Sequence, residues 1–416
     1  MVEFRQTGAS QSAGVGAEST AHFGKGAPCG ATKAMNQVYI QRLSAVLPGD
    51  PVSNDEMEQV LGVIGKRPSR MRPIVLRRNG IKTRHYVIDR ATGLPTMNNA
   101  ELTAEAVRKL AGDDFSLEDL ELLACGTSSP DQNTPSHAAM VHGELGHGPC
   151  EIHSVAGVCC AGISALKYAW MSVASGQAKR AVATGSEVAS SYMAARQFEE
   201  ESPITEDELE RKPSLALNAD FLRWMLSDGA GAMLLGPDKA KEGLSLRIEW
   251  IEMFSYAHEQ PACMYSGAEK LPDGRLRGWR EFASPHAAAA HGAFSFRQDV
   301  DQLDANIDRL SVDLPLAEVL RRHPIRADDI AWLCPHFSSM VFEKRQYEAL
   351  KRAGLAVPPE RWFTNLPRVG NVGSASMFLM LEELMRSGRT RKGEKVLVFV
   401  PESGRFSAAY MLLTCV

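Results

Sequence analysis

The 416-residue chain has no apolar run long enough to cross a membrane as a helix, and no secretion-signal core is read in its first residues. It also lacks charge of one dominant sign. A formal net charge of -4 leaves no footprint for nucleic acid. The eight cysteines include no CxxC pair and no metal-ligand spacing, so no metal centre is expected, and a reducing cytoplasm is the expected compartment. What is present describes a globular protein, with 44% hydrophobic and 23% charged residues. The length exceeds one ordinary domain and predicts a two-part body with a sizeable core. Residues 1–35 are rich in Gly, Ala and Ser without periodicity, and read as a disordered tail with Met35 as a candidate start.

Beyond the tail, strands and helices alternate. Val38 to Leu47 reads as a strand, Asn99 to Ala111 as a helix capped by Asn99, and Leu120 to Cys125 as a strand. Thr134-Pro-Ser136 opens a helix through Leu145, and Ile152 to Val158 is the next strand. That strand feeds Cys159-Cys160-Ala-Gly162, a tight turn into a helix ending at Gly176. With Cys160 as the first residue of the turn, its thiol sits at the positive end of the helix dipole, which favours thiolate. Cys159 then falls at the strand end as a bystander. A buried structural role for Cys160 is the plainer alternative. Ala181 to Gly185 and Ser227 to Leu235 read as strands, and the charge-rich Glu199 to Arg211 as a lid or loop. Lys66 to Arg78 carries six basic side chains and no acid. It is either a solvated face or a docking patch for a phosphopantetheine arm or an acidic carrier, with Arg72, Arg77 and Arg78 as candidates.

A second half begins near Leu244 and echoes the first at an offset of about 210 residues. Asp119 to Ser129 parallels Asp329 to Ser339, and the latter delivers Cys334-Pro-His336 at the carboxyl end of a short buried strand. Gly370-Asn371 opens a helix, Met377 to Arg386, where Asn371 is either a cap or a side-chain donor. The duplication predicts two similar α/β halves, 36–237 and 244–416, with Cys160 and Asn371 on equivalent turns facing one cleft.

The order Cys160-Ala-Gly, Pro335-His336, Gly370-Asn371 resembles the β-ketoacyl-ACP synthase III branch of the thiolase superfamily. So do Arg78-Asn-Gly-Ile-Lys-Thr-Arg-His85, Ser227-Asp-Gly-Ala-Gly-Ala232 and Glu402-Ser-Gly-Arg-Phe406. The resemblance runs from Val38 to the C-terminus. It implies a thiolase-like fold with two duplicated halves in αβαβα layers, and a cytoplasmic homodimer without cofactor. Substrates would arrive as CoA or acyl-carrier-protein thioesters. Cys160 would hold an acyl group, and the amides of Cys160 and Gly404 would form the oxyanion hole. His336 and Asn371 would grip the carbonyl of a malonyl or β-ketoacyl thioester during a decarboxylative Claisen condensation.

Three departures bear on substrate. Ile74 falls where many relatives stack a tryptophan on the CoA adenine. Thr134 falls where an aromatic ring often closes the acyl pocket across the dimer, which suggests room for a long chain. Phe337-Ser-Ser339 replaces the usual Gln-Ala-Asn after the histidine. Together they point to a specialised condensing enzyme, such as those making dialkylresorcinol or pyrone products. An acyltransferase moving the group from Cys160 to an alcohol or amine is an alternative, as is a non-catalytic ketosynthase partner subunit. Retention of the cysteine argues against the latter. Type III polyketide synthases match poorly at Pro401 to Arg405.

Overall fold

The computed structural model describes residues 35–64, 69, 71–202 and 221–416. The expected tail apart from Met35, the basic residues Lys66, Arg67 and Arg70, and positions 203–211 of the charge-rich segment lie outside the described residues. Residues 36–416 form one compact unit.

In chain order the elements that position the site are β1 (Tyr39–Val46), α1 (Arg72–Asn79), α2 (Asn99–Arg108), β2 (Leu122–Thr127) and α3 (His137–Leu145). There follow β3 (Glu151–Ala156), α4 (Cys160–Ser175), β4 (Ala181–Glu187), β5 (Gly229–Gly236) and β6 (Leu246–Ser255). The second half adds α5 (Leu314–Arg322), β7 (Trp332–Pro335), α6 (Phe342–Arg352), α7 (Ser376–Arg386), β8 (Lys395–Glu402) and β9 (Ser407–Cys415). No helix among the described residues is long and apolar enough to cross a membrane.

The nine strands run in the order β7-β8-β9-β6-β1-β5-β4-β2-β3. Read outwards from the β6–β1 junction, β1, β5, β4 and β2 mirror β6, β9, β8 and β7, and β3 has no counterpart. β2 pairs in parallel with β3 and β4, as β7 does with β8, and the remaining pairs are antiparallel. β2, β4 and β5 are buried at every residue, because the sheet is covered on both faces.

The layers follow from the apolar clusters. One joins α4 and α7 to strands of both halves and fills the centre. A second packs α2 and α3 on the first half, and a third packs α5 and α6 on the second. This is the αβαβα arrangement. The two central helices touch at their starts: a Cβ on Gly162 would lie 2.3 Å from Ser374 O, so only glycine permits the approach. One expectation is corrected. Asn98, not Asn99, caps α2, because Glu101 stands three residues after it and completes a reciprocal capping box. The side chain of Asn99 turns inward to Thr127 and Ser129.

Candidate active site

At the start of α4 the two cysteines have different surroundings. Cys159 is the N-cap and Cys160 the first helical residue. The Cys160 thiol lies 3.4 Å from Val400 O, inside the central apolar cluster. Cys159 lines a cavity of about 30 Å³, together with Asn371, Glu187, Gly373 and Ser338. Successive helical residues are rotated by about 100°, so one step along the chain turns a side chain out of the cleft. Of the two thiols, the one sharing this cavity with Asn371 is Cys159, and neither Cys160 nor His336 is among its lining residues.

Two buried carboxylates hold the turns from opposite halves. Glu402, at the end of β8, accepts from the amides of Cys160 at 2.8 Å and Val158 at 3.2 Å. Glu187, at the equivalent end of β4, accepts from Ser374 N at 3.1 Å, Ser128 Oγ at 2.6 Å and Ser129 Oγ at 2.8 Å. Each half thus lends an anion to the helix start of the other, where orphan amides favour negative charge. Burial raises both carboxyls above their usual range, and these hydrogen bonds oppose the rise.

That arrangement opposes the expected thiolate. Burial, then Glu402 and Glu187, holds the Cys159 thiol well above its ordinary range. Burial, then Glu402 and Cys159, does the same for Cys160. The positive end of α4 is already occupied by Glu402, so it does not stabilise sulfur. The Cys160 amide assigned to the oxyanion hole is likewise taken. Gly404 lies on the β8–β9 turn, where a Cβ would meet Val158 at 3.0 Å, and its carbonyl accepts from Cys263 N at 2.8 Å.

His336 follows β7 as expected, with its amide donating to Phe399 O at 2.8 Å. It is buried, and its Nε2 has no partner among the described residues. Burial lowers its pKa to about 4, so the imidazole is neutral at pH 7. Asn371 is fixed by its backbone. Its N–H donates to Met225 O at 2.9 Å, and its carbonyl accepts from Ser227 N at 2.8 Å. Its Oδ1 accepts from Gly373 N at 3.0 Å, which is the capping geometry. The residues holding this segment lie in the motifs Arg78 to His85 and Ser227 to Ala232. Arg84 and Asn79 both donate to Trp224 O, at 2.6 and 2.9 Å. Ser227 Oγ accepts from His85 N at 2.8 Å, and Asp228 accepts from Val87 N and Ser190 N at 2.9 and 2.8 Å.

The remaining candidates divide. Thr134 is exposed on the loop before α3 and does not line the cavity. Arg72 is committed to Glu58 at 2.9 Å and Asn54 O at 2.7 Å, so it is not free for a carrier. Arg77 and Arg78 are exposed. Arg78 and Ile74 border a groove of about 450 Å³ with Met225, Phe342 and Phe221. Phe221 also lines the cavity of Cys159, so groove and cavity meet at this ring.

Glu402→Gln is expected to make the cavity thiol more reactive. Loss of the carboxylate removes one cause of the raised thiol pKa, and each unit of fall gives about ten times more thiolate at neutral pH. Iodoacetamide labelling of the wild type should keep climbing above pH 9, and that of Glu402→Gln should rise at lower pH. Superimposable pH profiles of labelled-peptide yield would show that the Glu402 charge does not reach the sulfur.

Two family profiles match the chain. The 3-oxoacyl-[acyl-carrier-protein] synthase III C-terminal family matches residues 320–413, and the N-terminal domain family of β-ketoacyl synthase matches 138–240. Among curated relatives, the β-ketoacyl-[acyl-carrier-protein] synthase III of Xanthomonas campestris pv. campestris is 26% identical over 85% of this chain and 90% of its own length. A synthase III of Deinococcus radiodurans is 27% identical over 76% of this chain and 81% of its own. Solved structures share the fold. OleA of Xanthomonas campestris has a TM-score of 0.70 at 19% identity, covering 92% of this chain and 100% of that one. The tetronic acid condensing enzyme AbyA1 has 0.69 at 19%, covering 91% and 99%. FabH of Pseudomonas aeruginosa has 0.64 at 19%, covering 91% and 98%.

Proposed function

We propose that this β-ketoacyl-ACP synthase III-like condensing enzyme of the thiolase superfamily carries its acyl group on Cys159, in a specialised decarboxylative condensation with a malonyl thioester. The observation carrying the proposal is the single cavity lined by Cys159 and Asn371 while Cys160 points into the core. In the first step the Cys159 sulfur attacks an acyl thioester, with neutral His336 as the base for the thiol proton. The donor C–S bond breaks and the carrier thiol leaves protonated. The amides of Cys159 and Gly404 take over the oxyanion role.

In the second step His336 and Asn371 hydrogen-bond the carbonyl of a malonyl thioester. The bond to its carboxylate breaks, carbon dioxide leaves, and the remaining enolate carbon attacks the acyl carbonyl. The Cys159 sulfur is released and regains a proton. A β-ketoacyl extender has no carboxylate to lose at that carbon and needs a base instead. Glu187 is a poor one, because its two oxygens already receive several donors.

The groove between α1 and α6 is the proposed path of a pantetheine arm, and it meets the cavity at Phe221. Exposed Arg77 and Arg78 beside it suit a CoA phosphate or an acidic carrier protein. Ile74 on that rim supports a carrier-borne donor, and the altered Phe337-Ser-Ser339 support of His336 favours a specialised product over fatty-acid initiation. The fold shared with a tetronic acid condensing enzyme agrees with that choice. The implied homodimer has an available edge in β3, the last strand of the sheet, where Ile152 is 39% exposed. Intact-mass analysis after incubation with acyl-CoA and acyl-carrier thioesters of graded length tests the proposal. An acyl adduct mapping to the 159 position supports it, and an adduct at 160 or none with any donor sinks it.

A further inference from the structure

We propose that His142, His147 and Cys150 form a zinc site on the α3–β3 connection, made of residues separate from those lining the cavity of Cys159. The local fold builds the convergence. α3 ends at Gly146, whose φ of +67° reverses the chain, so the returning His147 and Cys150 come back beside His142 on the last helical turn. One ligand atom from each of the three lies within 4.8 Å of the others. The two imidazole rings stand 4.6 Å apart, and Cys150 Sγ is 4.0 Å from His147 Nε2. All three side chains are half-buried.

Two imidazoles and a thiolate are a donor set that Zn²⁺ takes in tetrahedral geometry, at about 2.0–2.1 Å to nitrogen and 2.3 Å to sulfur. Those bond lengths place neighbouring ligand atoms about 3.5 Å apart, so the site closes by a contraction of about an ångström. Glu118 stands next to the same loop, accepting from Gly148 N at 3.4 Å, and with the Cys150 thiolate would neutralise the ion. A water molecule or that carboxylate completes the shell. The consequence is structural: the ion would clamp the end of α3 to the start of edge strand β3. The spacing His-x4-His-x2-Cys escapes a search for paired cysteines, which is why no metal-ligand pattern is expected from sequence.

The test uses the untagged full-length chain, stripped with EDTA and titrated with Co²⁺ and then Zn²⁺. One equivalent of Co²⁺ should give tetrahedral visible bands and a near-ultraviolet thiolate charge-transfer band, and Zn²⁺ should displace it and raise Tm. Cys150→Ser should lose the charge-transfer band. Its affinity should fall by at least about 100-fold, since loss of a second-shell partner alone costs 10–100-fold. His147→Gln is the second variant should Cys150→Ser fold poorly, and Cys159→Ala should keep the full spectrum. No stoichiometric Co²⁺ or Zn²⁺ binding, or a charge-transfer band that survives Cys150→Ser and vanishes in Cys159→Ala, would overturn the site.

Discussion

Cys159→Ala is expected to abolish both the acyl adduct and condensation, and Cys160→Ala to retain both. Removing the nucleophile of a covalent mechanism costs on the order of 10⁴–10⁶ in rate, with a small residue left to the other groups of the site. Cys160→Ala removes only a buried sulfur whose contact is Val400 O at 3.4 Å. Its cost is one of packing, about 1–2 kcal/mol of stability, within the ordinary range for a core substitution. The experiment is intact-mass and peptide-level analysis of both variants with the same acyl donor, beside a thermal melt. Loss of the adduct in Cys160→Ala with an unchanged melt would return the nucleophile to position 160. Loss accompanied by a large drop in Tm would trace to packing, and Cys160→Ser then separates the two.

A signal bearing on the choice between the two thiols lies in the sequence. Asn371 stands sixteen residues before Ser387-Gly388, and sixteen residues before Ser175-Gly176 stands Cys159. Counted from these helix ends, the repeat pairs Asn371 with Cys159, whereas Cys-Ala-Gly points to Cys160. The alternation of strands and helices, the two similar halves and the position of His336 after β7 follow from apolar runs and from the offset near 210, whereas the αβαβα layering is implied only by the family resemblance. Glu402 and Glu187 are illegible by the same reasoning. An acidic residue at a strand end looks solvated, and only the crossing of the halves brings it onto the amides of the opposite helix start. The cluster of His142, His147 and Cys150 needs the reversal at Gly146, which spacing alone does not reveal. Arg84 illustrates the limit most plainly. A fully buried guanidinium is rare, and its partner Trp224 O is 140 residues away along the chain.

Asn371→Ala is expected to gain acyl mass at a near-normal rate and to lose release of carbon dioxide from malonyl thioester by about 10²–10³-fold, the usual cost of one donor to a developing oxyanion. The separation follows from the chemistry of the two groups. An amide cannot take a proton, so acyl transfer to Cys159 proceeds without it. The enolate left by decarboxylation carries charge on the oxygen that Asn371 and His336 would hold. His336→Ala should lose decarboxylation as severely and also slow acylation. The Cys159 thiol is held protonated by burial and the neighbouring carboxylates, and the neutral imidazole is its proposed base. Raising the pH should therefore restore acylation in His336→Ala, as hydroxide replaces the missing base, without restoring decarboxylation. Backbone bonds to Met225 and Ser227 hold position 371 whatever its side chain, so a folded Asn371→Ala is expected. Blocked acylation in that variant with normal carbon dioxide release would make Asn371 a primer-binding group. Absence of carbon dioxide release in the wild type with every malonyl donor would give first place to acyl transfer onto an alcohol or amine, because that reaction needs the thiol and the imidazole and has no use for a second donor.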